Sequence, residues 1–296
     1  MKFSTHAAVF WWKPAAWLRV TGTDAAHFLQ GQFTNELRGL PGSGAIYGLW
    51  LNVKGKVVAD SFVLRGAAAE EFWIGSYFSA ASVIRERLES FVIADDVAIE
   101  DVTAGWSAVA VLGDEVSKAP VDETRGGFLF RGRRGRAENV EWIFPTSQRA
   151  EVAAQLAGLR EMSADEIARS RIEAGIPAVP VDLGPGDLPN EGGLEADAIS
   201  YTKGCYLGQE VMARLKSMGQ VRRRLGRVAI TGEKIPGLPA PLFLGARQVG
   251  ELRSSAPDGA AGFVGLAMVS LLHVAPGASL AFAPDAPPTI KVSGPS

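Results

Sequence analysis

Apolar and polar positions fall into short blocks whose period switches between two residues and about three and a half. "AWLRVTG" (16–22) reads as a strand ending in a glycine turn. "TDAAHFLQGQ" (23–32) then offers Thr23 as a helix N-cap, Asp24 in the first turn and Gly31 as the stop. "AIYGLWLN" and "KVVADSFVLRG" flank "VKG" as a hairpin, with Gly55 free to take a positive φ at the turn. A strand, "EFWIGS", precedes the helix "SAASVIRERLESF", in which Val83, Ile84, Leu88 and Phe91 keep helical spacing; "VAIEDVT" and "WSAVAVLG" restore the strand pattern. The pattern predicts an α+β layout with helices covering one face of a mainly antiparallel sheet.

Further along, "ETRGGFLFRGRRGRAENVEWIFPTS" sets arginines at 131, 133, 134 and 136 between two apolar strands. Glycine and charge together read as a solvated hairpin tip, with a partner-binding patch as the alternative. Two helices follow, "SQRAEVAAQLAGL" and "SADEIARSRIEAG", the second with a capping box formed by Ser163 and Glu166. Residues 175–201 are too rich in proline and glycine for a helix or central strand, and a loop of this length suggests function. After Gly219 the pattern is all-β, with short strands between proline and glycine turns, as in a small barrel or sandwich. We therefore expect a region 1–219 and a carboxy-terminal domain 220–296, ending in a loose tail, "APDAPPTIKVSGPS".

Composition narrows the class. With 47% hydrophobic and 21% charged residues and a mean hydropathy of +0.10, the chain reads as a soluble globular protein. Its apolar runs are too short to span a membrane and its start lacks signal-peptide features, so a cytoplasmic protein without membrane contact is expected. One cysteine and three histidines exclude an intrachain disulfide and a structural zinc site. A net charge of -2 argues against a chain devoted to nucleic acid. Charge is uneven, however: residues 172–202 contain no lysine or arginine, whereas 203–227 is basic with Glu210 as its only acid.

The sign changes at "TKGCYLGQEVMAR" (202–214), which holds the single cysteine. Leu207, Val211, Leu215 and Met218 predict a helix over 206–218, with Gly219 as its stop. Cys205 would then sit at a helix N-terminus, where the dipole and Lys203 both favour a thiolate; a small buried hydrophobe is the plain alternative. Gly204 allows a sharp turn or close approach of a ligand. Glu210 and Arg214 suit either an i,i+4 ion pair or ligand contacts, and Gln209 either a loop anchor or a heterocycle contact.

"KGCYLGQE" (203–210), including Tyr206, resembles the signature of the YgfZ family of folate-binding proteins, relatives of the aminomethyltransferase T-protein of the glycine cleavage system. "WLRVTGTDAAHFLQGQFTNEL", "GLWLNVKGKVVADSFVL" and "RIEAGIP" are similar to further family segments, so the likeness covers most of the chain. It implies a T-protein-like ring of two α+β domains and a carboxy-terminal antiparallel β-barrel around a cavity for tetrahydrofolate. It also implies a role in iron-sulfur protein maintenance centred on Cys205, with iron-sulfur client or assembly proteins as partners.

A folate needs a carboxylate for the pterin's donors, an apolar or aromatic surface for its ring and cations for its glutamate tail. Asp60 matches the second of the T-protein's aspartate pair, the first being Ala59 here. Glu191 lies in the loop before the signature, and Arg171 with Glu173 matches its R-x-E-A-G segment. Each can equally be structural. The T-protein's glycine-rich, acid-bearing cofactor strand has no clear counterpart, "VEWIFPTS" standing roughly in its place. Three functions follow: a folate-binding iron-sulfur accessory protein, a folate-dependent aminomethyltransferase, and a tRNA-modification factor contacting RNA through the arginines at 131–136 and 222–224.

Overall fold

The structure, a computed structural model, describes residues 7–40, 44–113 and 127–293. The start of the arginine-rich segment, 123–126, the first six residues and the last three lie outside these. Strands β1 (Ala8–Trp12) and β2 (Ala16–Thr21) lead into helix α1 (Ala25–Gln32). The hairpin β3 (Ile46–Leu51) and β4 (Val57–Arg65) precedes β5 (Glu71–Ser76), α2 (Ala81–Glu89) and β6 (Ala98–Asp101). Then come β7 (Trp106–Leu112), β8 (Phe128–Arg131), β9 (Asn139–Pro145), α3 (Arg149–Gln155), β10 (Arg160–Glu161) and α4 (Ala164–Glu173). A long connection reaches α5 (Gln209–Met218), followed by β11 (Arg223–Thr231), β12 (Ala240–Leu244), β13 (Arg247–Pro257), β14 (Gly262–Ser270), β15 (Ser279–Leu280) and β16 (Ile290–Val292).

These strands form three sheets. The first has the order β3-β4-β5-β2-β6 and is antiparallel throughout. The second, β10-β1-β7-β9-β8, is antiparallel except where β1 runs parallel to β10. The third, β12-β13-β14-β11-β16-β15, curls until Phe243 and Ala281 exchange backbone hydrogen bonds of 2.8 and 3.0 Å, which brings its ends together as a nearly closed barrel. The α+β layout with a carboxy-terminal antiparallel barrel is therefore present. None of the described helices is long and apolar enough to cross a membrane.

Packing explains the strand patterns. One face of the first sheet buries Leu18, Val63 and Ile74 against Leu29 of α1 and Ile84 and Leu88 of α2. Its other face, with Trp17, Leu49, Phe62 and Trp73, meets Ala108, Phe130 and Ile143 of the second sheet. Both faces are covered, so β3 reads "IYGLWL" with little alternation. Val179, Leu183 and Ile199 of the long connection, Tyr206 and Met212 of the signature region and Met268 of the barrel join this second core.

Several boundaries differ from the sequence expectation. Helix α1 is preceded by Asp24, not by Thr23, whose hydroxyl is spent on Asp96 Oδ2 at 2.9 Å, and it runs past Gly31 to Gln32. The tail is not loose throughout: β16 pairs with β11, burying Ile290 and Val292. The capping box at α4 forms as read, with Glu166 N donating to Ser163 Oγ at 3.2 Å and Ser163 N to Glu166 Oε2 at 2.9 Å.

The signature helix starts at Gln209 rather than Tyr206, since Gly208 takes φ +85° as its N-cap. Gly208 abuts the β3–β4 turn, where a Cβ on it would lie 2.9 Å from Asn52 O. Gly55 in that turn, at φ +69°, would place a Cβ 2.8 Å from Val211 Cβ. Hairpin tip and signature thus meet through two glycines. Gly204 has neither a positive φ nor a close neighbour, its added Cβ meeting only Arg38 Nη2 at 3.9 Å. Gly208→Ala is therefore expected to cost about 1–3 kcal/mol in urea unfolding, whereas Gly204→Ala stays within about 0.5 kcal/mol. Equal midpoints for the two variants would refute this assignment.

Candidate functional site

In the signature loop, two buried side chains flank an exposed pair, Gly204 and Cys205. Lys203 is 5% exposed and its ammonium donates to three backbone carbonyls, Gln30 O at 2.7 Å, Phe33 O at 2.6 Å and Asn35 O at 2.9 Å. Burial lowers its pKa to about 8. Tyr206 is buried, its phenol pushed up by desolvation and its oxygen without a hydrogen-bond partner among the described residues. Between these anchors Cys205 is exposed. Two sequence expectations are corrected: Cys205 lies four residues before the helix instead of immediately at its N-terminus, and the Lys203 ammonium is committed to the α1–β3 loop. Gln209 Nε2 reaches Lys203 O at 3.5 Å, as an anchor would. Glu210 and Arg214 are exposed on α5 and form no ion pair with each other among the described residues.

Residues 174–208 are stitched in place by side chains from every neighbour. Arg171 Nη1 of α4 donates to Asp182 Oδ2 at 2.5 Å and to Ile176 O at 2.7 Å, and its Nη2 to Ser254 Oγ of β13 at 3.2 Å. Glu191 accepts from Leu188 N at 2.8 Å and pairs with Arg223 of β11 at 3.0 Å; Asp187 pairs with Arg223 and Arg253. Burial works to raise the Asp187 carboxyl, but Arg253, the Gly184 amide and Arg223 outweigh it and hold it below the usual carboxylate range. Asp187, Arg223 and Arg253 border a cleft of about 650 Å³ between the connection and the barrel, also lined by Pro180, Pro239 and Glu251. Glu173 is exposed, 3.8 Å from Arg169 in an i,i+4 pair. From the "FTNEL" segment, Thr34 Oγ1 donates to Ala198 O at 2.7 Å and Asn35 Nδ2 to Asp197 O at 3.0 Å.

A third group of polar side chains lies where the first two sheets face each other. Asp60, on β4, accepts from Ser79 Oγ at 2.7 Å, Ser76 Oγ at 2.8 Å and Tyr47 Oη at 3.1 Å. Burial raises its pKa, and the three hydroxyls oppose that. Successive strand residues face opposite sides, so Ala59 packs into the core beneath α1 and α2, away from Asp60. Across from Asp60, Glu141 of β9 is fully buried; it accepts from Tyr77 Oη at 2.8 Å and from Arg134 Nε at 2.9 Å. Arg133 stacks 4.0 Å from the Tyr47 ring and pairs with Asp197, while its amide donates to Tyr77 Oη at 3.0 Å. The two carboxylates thus belong to one network through Tyr47, Arg133 and Tyr77. The indole N–H groups of Trp12, Trp17 and Trp73 are buried without partners among the described residues.

The solvated hairpin tip expected at 131–136 is therefore half wrong. Arg131 and Arg136 are exposed, but Arg134 folds inward onto the fully buried Glu141, and Arg133 is largely covered against the Tyr47 ring, pairing with the exposed Asp197. Of the basic run, Arg223 is an internal latch, Arg224 lies 3.9 Å from Glu195 and Arg227 Nη1 donates to Glu173 O at 3.0 Å. Sequence reading missed Tyr47, Tyr77, Arg134, Glu141 and Asp187. The acid interrupting the apolar run "NVEWIF" was the available signal for Glu141.

The chain is similar to known proteins over most of its length. Residues 2–119 match the GCVT N-terminal domain. The chain is 30% identical to the human protein named iron-sulfur cluster assembly factor IBA57, mitochondrial, across 93% of this chain and 83% of that protein. It is 30% identical to the mouse counterpart, but there the match spans 64% of the relative. The tRNA-modifying protein YgfZ of Yersinia enterocolitica is 25% identical over 75% of this chain and 71% of its own length. The glycine cleavage system aminomethyltransferase T of Bartonella henselae has the same fold, with a TM-score of 0.81 at 17% identity over 98% of this chain and 85% of that one.

The Lys203 clamp has a pH signature. Its folded-state pKa of about 8 lies below the ordinary 10.5, so between these values the unfolded chain binds the proton more strongly than the folded one. This lysine makes stability rise with pH across that window. Lys203→Met removes that part of the rise and strands three carbonyl acceptors, at a cost of about 1–3 kcal/mol. Urea unfolding of both proteins between pH 7.5 and 10.5 checks it, and identical slopes would refute it.

Proposed function

The chain belongs to the family of the iron-sulfur cluster assembly factor IBA57 and the tRNA-modifying protein YgfZ, and on that premise we propose that it is a tetrahydrofolate-binding accessory protein supporting iron-sulfur cluster assembly or repair in client enzymes through Cys205. The observation carrying this reading is the presentation of its single thiol, exposed between two buried anchors, Lys203 and Tyr206. One thiolate supplies one cluster ligand, so Cys205 acts with thiolates of a client or assembly protein, or as a redox thiol. Exposed Arg214 and Arg222 lie on the same stretch of chain and suit an acidic partner.

The chemistry of the central network fits a folate. Asp60 and Glu141 are acceptors for pterin N–H groups, and Tyr47, Phe62 and Tyr77 offer ring faces. The unpaired indole N–H groups and the Tyr206 phenol suit a ligand with its own acceptors, since each buried donor left unsatisfied costs about 1–3 kcal/mol. Arg171 and Glu191 support the folate site through the loop they brace, being committed to Asp182 and Arg223. A bound reduced folate supplies a carrier for a one-carbon unit. An aminomethyltransferase reading draws less support: the neighbour of Asp60 is an alanine facing another core.

Two measurements test the reading. Cys205→Ala is expected to bind 5-formyltetrahydrofolate in calorimetry as the unaltered protein does, yet fail to restore iron-sulfur enzyme activity in cells lacking this chain. Full restoration by the variant would overturn the thiol role. Absence of any binding heat with the unaltered protein would overturn the folate role.

A further inference from the structure

Val269, Val274 and Val292 of the barrel core also line a cleft of about 530 Å³ at the barrel's mouth, where β11 begins and β14 and β16 end. Arg224, Gly226 and Arg227 of β11 border the same cleft. No described neighbour requires glycine at 226. The residue sits in unbroken register opposite Ala267, its φ is not positive, and a Cβ on it would meet nothing within 4 Å. Two other glycines of the barrel strands differ: a Cβ on Gly250 would lie 2.3 Å from Met268 O, and one on Gly265 2.6 Å from Leu252 Cδ1. Glycine weakens a strand interior, so one that no packing demands marks a place where a ligand or another chain comes close.

We infer that this cleft receives an acidic segment of a protein partner, with an apolar side chain in the cleft and carboxylates on the arginines at its rim. The inference rests on the accessory-protein reading above and names the surface that holds the partner. Three observations carry it beyond the open space at Gly226. The rim is apolar: Leu271 lines the cleft and is 48% exposed, and Leu272 beside it is 83% exposed. Their turn is pinned from within, as His273 N and Val274 N both donate to Ser270 O, at 3.3 and 3.0 Å, and Val274 enters the barrel core. The rim is also short of anions. Arg222 forms no ion pair among the described residues, Arg224 comes no nearer than 3.9 Å to Glu195, and Arg227 Nη1 donates to a backbone carbonyl, Glu173 O. Carboxylates of a partner complete these guanidinium groups. Finally, α5 runs about 15 Å from just beyond Cys205 to Met218, which is 81% exposed and four residues before Arg222, so one small domain spans both thiol and cleft. A membrane fits less well, because the exposed apolar residues Met218, Leu271 and Leu272 include no aromatic ring.

Filling the cleft tests this. Gly226→Leu puts a side chain into the open space and Arg224→Glu reverses the charge of the rim; both are expected to keep the unfolding temperature and the 5-formyltetrahydrofolate binding of the unaltered protein. With the photo-crosslinker p-benzoylphenylalanine in place of Leu272, irradiation of cells is expected to join the chain to another protein, at a segment that mass spectrometry shows to carry apolar side chains and several carboxylates. Each variant is expected to lower the cross-linking yield at least about tenfold and to restore less iron-sulfur enzyme activity in cells lacking this chain. Lysines in place of the partner's carboxylates are expected to recover Arg224→Glu but not Gly226→Leu. Full yield and full restoration with both variants, where Cys205→Ala still fails to restore, overturn the docking inference and leave the thiol reading standing. Full restoration by Cys205→Ala overturns that reading and the inference with it. A cross-link to a second copy of this chain, flotation on phosphatidylserine vesicles that Gly226→Leu abolishes, or no cross-link at all likewise overturns the inference. Should Gly226→Leu not fold, Leu271→Asp replaces it with the same expected directions.

Discussion

Buried backbone without a strand or helix to satisfy it is the constraint on which this molecule is organised. Residues 174–208 include only a single turn of 3-10 helix, yet Ala178, Val179, Leu183, Leu194 and Ala198 are almost wholly buried in cores shared by the sheets. Peptide groups in such a segment need partners that no ladder provides. Turn bonds such as Asp182 N to Ala178 O and Ala198 N to Leu194 O supply some of them, and side chains supply others. Asp182, Asp187 and Glu191 accept from amides of the segment, Thr34 and Asn35 donate to its carbonyls, and arginines from α4, β11 and β13 neutralise the acids.

That requirement accounts for the fate of several residues expected to touch a ligand. Charge in a loop marks either a binding group or a backbone anchor, and burial decides between them. Surface pairs such as Arg85–Glu89 contribute about 0–1 kcal/mol. Removing one partner of a buried pair such as Arg171–Asp182 or Arg134–Glu141 costs about 3–5 kcal/mol, because the other charge is left stranded. Lys203 follows the same logic: a cation two residues from a cysteine looks like its activator, but here it closes the α1–β3 loop onto the signature.

The consequence for the thiol is one of presentation. Lys203, Tyr206 and Gly208 fix the loop against α1, the core and the β3–β4 tip, leaving Cys205 outward on a braced support. An exposed sulfur held in this way suits a transfer or exchange between proteins better than chemistry inside a closed pocket. The two proposed roles therefore occupy different parts of the molecule, the folate network between the first two sheets and the cysteine at the signature surface.

Hydrophobic period and turn residues alone yielded most of the strand and helix order, though not β1 or β10, together with the Gly55 turn, the α4 capping box and the all-β final third, because each depends on neighbours a few residues apart. The eight residues of "KGCYLGQE" pointed to the family for the same reason. What folding decided lies at longer range. The sequence around Arg134 is that of an exposed turn, and only the approach of β9 and β1 makes it a buried partner of Glu141. Likewise Asp60 and Glu141 are 81 positions apart in the numbering and share a network only because two sheets stack face to face. Local pattern fixes backbone conformation, whereas the partner of a buried charge is set by which distant element covers it, and that contact has no period to read.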